Sequence, residues 1–471
     1  MTYTINAISY SFLALLLVRC FDLKDDFLNV PKIQQTDSVV INVSNYGSSR
    51  ATGYSDSGKF IETDSTILFT WLGNDDDDFI VYVSSYNKLT RKVTQSIAID
   101  KDVDDNHGGA SMLLDSKGLI HIAYGPHASQ MRYKQSLKPG DIASWSEVEF
   151  FGDRLTYPSM VIDSNDNLYL IARQSNWNDH WPLVFYQKSP DGNWHGGEEL
   201  LNGFYKSWVD KGYAFSSGRT NGYTRYSKSF VLDSKQRMHL SFKVAEYLPE
   251  SMSSLSQYEN EMAFYVIGYM YSDDYGQTWL SQGQQVRIPA SPSDVEVIDG
   301  SSDPLLSECH LEMGSMSVTT NGLPVVIYSR NYESNTELIL AERNVEGDWN
   351  YTSLSESLNI GDKLPISPSG LSIDANGNAY VIFTLIDKDA YCLCTDTWGN
   401  QTNTVMVVRY SELSEIIYEY TSKEQTSPAW LPIASNTYNA VDPAFMFLSG
   451  GRAAGNDEKV ANNVYFIAIT D

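Results

Sequence analysis

The sequence predicts an all-β chain folded as a seven-bladed β-propeller. Three observations carry this prediction. A turn centred on aspartate and followed by an apolar strand recurs along the chain. A Ser-x-Asp-x-Gly-x-x-Trp hairpin signature stands at residues 272–279. Segments with helical periodicity are nearly absent, and strand-rich repeats that close radially form a propeller.

The repeat is explicit in four places. Leu114-Asp115-Ser116-Lys117-Gly118 precedes LIHIAY, and Ile162-Asp163-Ser164-Asn165-Asp166 precedes NLYLIAR. Leu232-Asp233-Ser234-Lys235 comes before RMHLSFK, and Ile373-Asp374-Ala375-Asn376-Gly377 before NAYVIFT. A looser copy, Thr320-Asn321-Gly322, leads into LPVVIYS. Asp and Gly make the tight turn of a hairpin, and the apolar run that follows reads as a buried strand. The Asp-to-Asp steps of 48, 70 and 141 residues fit one four-stranded sheet per repeat with loops of variable length.

The hairpin signature Ser272-Asp273-Asp274-Tyr275-Gly276-Gln277-Thr278-Trp279 is an Asp-box, with degenerate copies at 189–194 and 346–349. Its aspartate is expected to cap the turn while its tryptophan packs between strands. The box reports architecture and not chemistry. Strand clusters run from about Lys59 to Val464–Ile469, almost at the C-terminus. Closure by pairing strands from the two chain ends is therefore expected, and terminal truncation should be costly. No composition shift marks a second domain. The expected organisation is a signal segment over 1–20, an N-terminal segment over 21–50 and one propeller over 51–471.

Composition narrows the function. Hydrophobic residues make up 42%, enough for a packed core. Aromatics reach 13%, which suits pleated surfaces first and carbohydrate sites second. A net charge of −26 repels nucleic acid, so nucleic-acid binding is set aside. A polyanionic substrate would need a local cluster of Arg and His set against that field.

The N-terminus carries an address. FLALLLV at 12–18 is too short to span a bilayer and runs into Leu17-Val18-Arg19-Cys20 and a charged tract. This resembles a bacterial lipoprotein signal with Cys20 as the lipidated residue. It departs from the pattern in having no Lys or Arg before the apolar run and Arg19 beside the cleaved bond. Ordinary secretion and a buried N-terminal strand are the alternatives. The expected location is outside the cytoplasm, with membrane contact only through a lipid anchor, and the expected state is a monomer.

Cys309, Cys392 and Cys394 remain, and three cysteines cannot pair completely. Cys392 and Cys394 share a strand face if extended and so converge on a metal more easily than on each other. A structural zinc held with His239 is one expectation. His310 adjoins Cys309, but neighbouring strand residues point oppositely. A single disulfide to Cys309 with a spare thiol is the other expectation.

Candidate chemistry lies between 104 and 175. Asp105-Asn106-His107-Gly108-Gly109 precedes the first repeat, and Tyr124-Gly125-Pro126-His127 ends its strand. Gly and Pro beside a His suggest loops at a sheet end, where side chains reach a cleft. His121 and His239 both lie six residues after a repeat Asp and read as architectural. The next repeat opens with Leu155-Thr156-Tyr157-Pro158 and closes with Ile171-Ala172-Arg173. Each of these residues alone is unremarkable.

In this order, D-N-H-G-G, Y-G-P-H, L-T-Y-P and L-I-A-R resemble the propeller polysaccharide lyases that cleave ulvan, within the wider Asp-box/BNR-repeat group. The resemblance covers roughly these 70 residues and is architectural beyond them. The separations His107 to His127 (20) and Tyr157 to Arg173 (16) fit it. It implies β-elimination at a uronic acid. That reaction takes the C5 proton, neutralises the carboxylate-stabilised enolate and protonates the departing O4 oxygen. By resemblance, His107 and Tyr157 form the acid/base pair, Arg173 neutralises the carboxylate, and His127 is a second neutraliser or auxiliary acid. Asn106, Arg219 and Tyr223 are expected to bind substrate, the last two from a basic, aromatic stretch over 206–228. Elimination requires no redox cofactor.

Two rival functions remain. Asp-boxes and Arg287-Ile288-Pro289 suggest a sialidase-like hydrolase, but there the arginine motif precedes the boxes, and no arginine triad is visible. A non-catalytic glycan-binding propeller would keep the repeats and aromatics without needing the His/Tyr/Arg set.

Overall fold

The computed structural model describes residues 37–470 apart from 54–57, 176–180, 203–227, 248–261, 302–308, 359, 393–396, 411–414, 421–427 and 436–437. Cys20 with its signal segment, Arg219, Tyr223 and Cys394 lie outside the described residues. Among the described residues the chain is all-β, in sheets of eight, seven, six, four and five strands. Neighbouring strands are antiparallel apart from the short pairing of Lys363–Asp374 with Tyr438–Ala440. The described α-helix, Leu354–Ser357, is a single turn.

The repeated aspartates explain why the hairpins recur. One Asp115 carboxylate oxygen accepts the backbone N–H groups of Lys117 and Leu119 at 2.9 and 2.7 Å. Asp163, Asp233 and Asp374 accept from the residues two and four places later in the same way. Each side chain thus satisfies two turn donors that strand pairing leaves over. The Asp-box works similarly. Asp274 accepts from the Thr278 N–H at 2.7 Å and from its hydroxyl at 2.6 Å, while Trp279 is buried in the core.

Position six of the repeat supports the turn from the strand side. His121 lies between the Tyr133 hydroxyl, 2.6 Å from Nδ1, and the Asp115 carboxylate, 3.4 Å from Nε2. His239 repeats this with Tyr269 at 2.7 Å and Asp233 at 3.4 Å. In the intervening repeat a tyrosine serves, and the Tyr169 hydroxyl donates to Asp163 at 3.0 Å. The architectural reading of both histidines holds.

Adjacent sheets bury apolar faces against each other. Ile171, Leu183 and Phe185 pack with Phe230, Leu240, Phe242 and Trp279 of the next sheet. Each such side chain, withdrawn from water, contributes roughly 1.5–3 kcal/mol.

The chain ends meet as expected. Asp37–Gly47 pairs antiparallel with Asn462–Thr470, from Asp37 opposite Thr470 to Gly47 opposite Asn462, with irregularities between Asn42 and Ser44 and between Ser44 and Gly47. Both belong to the eight-stranded sheet. The folded unit therefore begins by Asp37, ahead of the expected boundary at 51. An isolated Val- and Ile-rich strand carries little long-range signal about its partner.

Candidate active site

Strand register accounts for most of the site. His127 opens the strand His127–Gln135, Tyr157 lies within Glu149–Ile162, and Arg173 is near the end of Leu168–Gln174. Thr156 stands opposite His127 on one side and opposite Arg173 on the other. Directly opposed residues of an antiparallel ladder face the same way, so His127 and Arg173 project together. Alternation would turn Tyr157, one residue on, to the opposite face. A bulge prevents this: Tyr157 and Pro158 together stand opposite Ala172, and Tyr157 takes a φ of +59°. A bulky residue in the left-handed region is rare and re-aims the side chain. The Tyr157 ring lies 4.6 Å from the Arg173 guanidinium carbon and 6.0 Å from the His107 ring.

Asp105 joins the two histidines. One carboxylate oxygen accepts the His107 backbone N–H at 2.7 Å and lies 2.8 Å from the His107 Nδ1. The other lies 2.5 Å from the His127 Nδ1. The two rings stack with centroids 4.0 Å apart. Burial pushes the Asp105 carboxyl up, but hydrogen bonds from both histidines outweigh it and hold the group well below the usual carboxylate range. An ionised carboxylate only accepts hydrogen bonds, so both Nδ1 atoms carry hydrogen and each Nε2 is left as the nitrogen able to accept a proton. Burial also pushes His107 down to about 4; Asp105 opposes this, while Arg50 and His127 push the same way as burial. His107 is therefore neutral through the mildly acidic range, as a base must be. His127 is the more open ring, with 24% of its side chain exposed against 8% for His107.

Arg173 is wholly buried. Its guanidinium packs against both the Tyr157 and Trp181 rings, with the Trp181 ring centre at 4.4 Å. Arg50, in the turn after Asp37–Gly47, reaches the site from outside the 104–175 stretch. Its Nη1 donates to the His107 Nε2 at 2.8 Å and also bonds the Asn106 and Asn456 side-chain oxygens.

The structure thus brings His107, His127, Tyr157 and Arg173 together. Sequence reasoning missed three members of this cluster. Asp105 stands inside the D-N-H-G-G motif, which was a usable signal. Trp181 and Arg50 had none. Asn106, expected to bind substrate, is fully buried, and its amide nitrogen donates to the Ser49 hydroxyl at 2.9 Å and the Gly455 carbonyl at 2.8 Å. It ties the His107 loop to both chain ends instead of facing a ligand.

Of the four residues expected to hold zinc, Cys394 lies outside the described residues. Cys392 is disulfide-bonded, and a disulfide sulfur is not a thiolate donor. Cys309 is not its partner, which also departs from the alternative pairing. His239 has both ring nitrogens engaged in its repeat turn. Asp105, His107 and His127 do hold donor atoms within 4.8 Å of one another. Their Nδ1 atoms, however, already direct hydrogens at the carboxylate, and a cation there would have to displace both.

Similarity to known proteins agrees with this geometry. Curated ulvan lyases from Alteromonas sp. (strain LOR) and Nonlabens ulvanivorans are 31% identical over 102 residues and 30% identical over 138 residues. These matches cover 18% and 23% of this chain and only 20% and 28% of the relatives. A solved PL25 ulvan lyase bound to -[GlcA(1-4)Rha3S]- superposes with a TM-score of 0.64 at 12% identity, covering 90% of this chain and 95% of its own. The polysaccharide lyase Uly1 gives 0.55 at 15% identity, covering 92% and 99%. The similarity to these structures establishes a shared fold. The model of the BNR repeat-containing family matches residues 71–357, well over half of the sequence, and the chain belongs to that family.

Proposed function

We propose that the chain is a polysaccharide lyase that cleaves ulvan by β-elimination and leaves a 4,5-unsaturated uronate end. One observation carries the reading: His107 and His127 share the buried Asp105 carboxylate, and Tyr157, stacked with Arg173, lies beside the His107 ring. The partial likeness to curated ulvan lyases supports it.

In this reading the neutral His107 Nε2 takes the C5 proton, and the Tyr157 hydroxyl protonates the departing O4 oxygen. Tyr157 as base and His107 as acid is the reverse assignment for the C5 epimer. His127, sharing the Asp105 carboxylate, stabilises charge beside them. Arg173 is the cation that offsets the developing enolate charge, and its guanidinium fixes the Tyr157 ring by stacking on it. Arg219 and Tyr223 would add substrate contacts from the basic stretch.

The architecture belongs to the same proposal. Seven four-stranded units account for the sheets if the eight- and seven-stranded sheets each comprise two neighbouring blades. The strands Asp37–Gly47 and Asn462–Thr470 would then close the ring. Export as a monomer, with Cys20 as a lipid anchor, completes the reading.

The test is incubation with ulvan while following ultraviolet absorbance of the unsaturated product. Absorbance should rise with the native chain and vanish in His107→Ala and Arg173→Ala. New reducing ends without that absorbance would mean hydrolysis. Binding with neither product would mean a glycan-binding protein.

A further inference from the structure

Arg50 carries a charge that no carboxylate among the described residues pairs with directly. Among the described residues no carboxylate lies within ion-pair distance of it, in a protein whose net charge is −26. Its Nη1 is shared among Asn106, His107 and Asn456, all neutral acceptors, while its buried Nε has no partner. The side chain is only half-buried, and its guanidinium carbon lies 5.5 Å from the Trp398 ring centre. A guanidinium presents a rigid fork of donors suited to a planar carboxylate or a sulfate. Here that fork is occupied on one side and idle on the other. Arg173, the cation assigned to the carboxylate from sequence, has no exposed surface and packs against the Tyr157 and Trp181 rings. Arg50 is thus the arginine of this cluster that an incoming anion can reach.

We propose that Arg50 is a substrate-binding cation of this site, gripping an oxyanion of the acidic sugar chain next to His107. The inference rests on the ulvan lyase reading for the identity of that chain. It adds a consequence for the base. Arg50 donates to the nitrogen that must accept the C5 proton. An arriving carboxylate or sulfate is a stronger acceptor than neutral imidazole, so it draws the guanidinium away and uncovers Nε2. Substrate binding and exposure of the base are then one event. The segment that does this is the turn after the strand paired with the C-terminal strand, and Asn456, which steadies Arg50, precedes that C-terminal strand.

The experiment compares the full-length chain with Arg50→Gln, which keeps donors to Asn106 and Asn456 but removes the charge. Arg50→Lys keeps charge but loses the fork. Melting temperature and circular dichroism confirm folding. Ulvan binding is read by calorimetry and turnover by ultraviolet absorbance. Binding and KM should weaken about tenfold or more in Arg50→Gln, as for loss of one charge-assisted contact, with Arg50→Lys intermediate. The acid limb of kcat/KM should also move upward. His107 faces Asp105, His127, the Tyr157 ring and Arg50, and losing Arg50 removes a charge that disfavours its protonation. A merely structural arginine would leave that limb in place. Repeating the titration with desulfated and with carboxyl-reduced ulvan identifies the oxyanion, since the substitution ceases to matter when its partner is removed.

A folded Arg50→Gln with native binding and an unmoved acid limb overturns the inference while native turnover still upholds the lyase reading. Arg50-dependent binding without any elimination overturns the lyase reading and upholds Arg50 as an anion contact. No binding of ulvan by the native chain overturns both.

Discussion

Asp105→Asn tests the role of one atom pair. Asparagine offers a single oxygen in place of two, so only one histidine keeps a hydrogen-bond acceptor at Nδ1 and the other meets an N–H donor. General acid–base catalysis contributes about 10²–10⁴-fold, and loss of one oriented imidazole should lower kcat on the order of a hundredfold or more, with a smaller change in KM. The pH profile gives a second readout. The free-enzyme acid limb of kcat/KM should lie nearer pH 4 than 6.5, because a lowered pKa extends the neutral, base-competent form of His107 toward acid. Asp105 holds that pKa up and Arg50 holds it down. Asp105→Asn should therefore shift the limb further to acid, opposite to Arg50→Gln. Equal shifts in one direction would contradict the electrostatic account. At this scale the sequence was half legible. His107, His127, Tyr157 and Arg173 were visible because each sits beside Gly, Pro or a strand end that announces itself locally. Arg50 was not, because its partner Asn456 is 406 residues away and the contact exists only once the ends have paired.

The elements were the most legible scale, and their chemistry explains why. An aspartate that accepts two N–H groups within the next four residues makes a hairpin whose signal is wholly local. Asp374→Ala would leave the Asn376 and Asn378 N–H groups and the Asn378 amide without the acceptor they now use. The expected loss is about 1–3 kcal/mol in denaturant unfolding. Because Asp374 touches none of the site residues, kcat/KM should be unchanged in the folded fraction. The bulge at Tyr157-Pro158 is the contrary case. The residue pair hinted at local stiffness, but nothing in the sequence showed that two residues would stand opposite one. That single irregularity reverses the direction of the tyrosine. Bulges arise from the conflict between pairing and a neighbour's requirements, so they are visible only in the ladder.

At the scale of the whole molecule, the pairing of the two terminal strands and the chemistry meet at one seam. The turn bearing Arg50 follows Gly47, which lies opposite Asn462. A Cβ at Gly47 would come within 2.6 Å of Val464 and 3.1 Å of the Asn462 carbonyl. Asn106 then bonds Ser49 and Gly455 from the other side, so the His107 loop is fastened to both ends of the chain. A disturbance at the seam should consequently reach the site. Gly47→Ala forces a methyl against the closing strand at a cost of about 1–3 kcal/mol, and the strand or the Arg50 turn must shift. Leu340→Ala removes a fully buried side chain in the sheet containing Pro324–Asn331 and Thr336–Arg343, at about 2–5 kcal/mol. The two variants lose comparable stability, yet they should differ in catalysis. Measured per folded molecule at a temperature well below both melting transitions, Gly47→Ala should raise KM for ulvan severalfold and Leu340→Ala should not. Equal activity in the two would show that the pairing of the chain ends secures the fold without positioning Arg50.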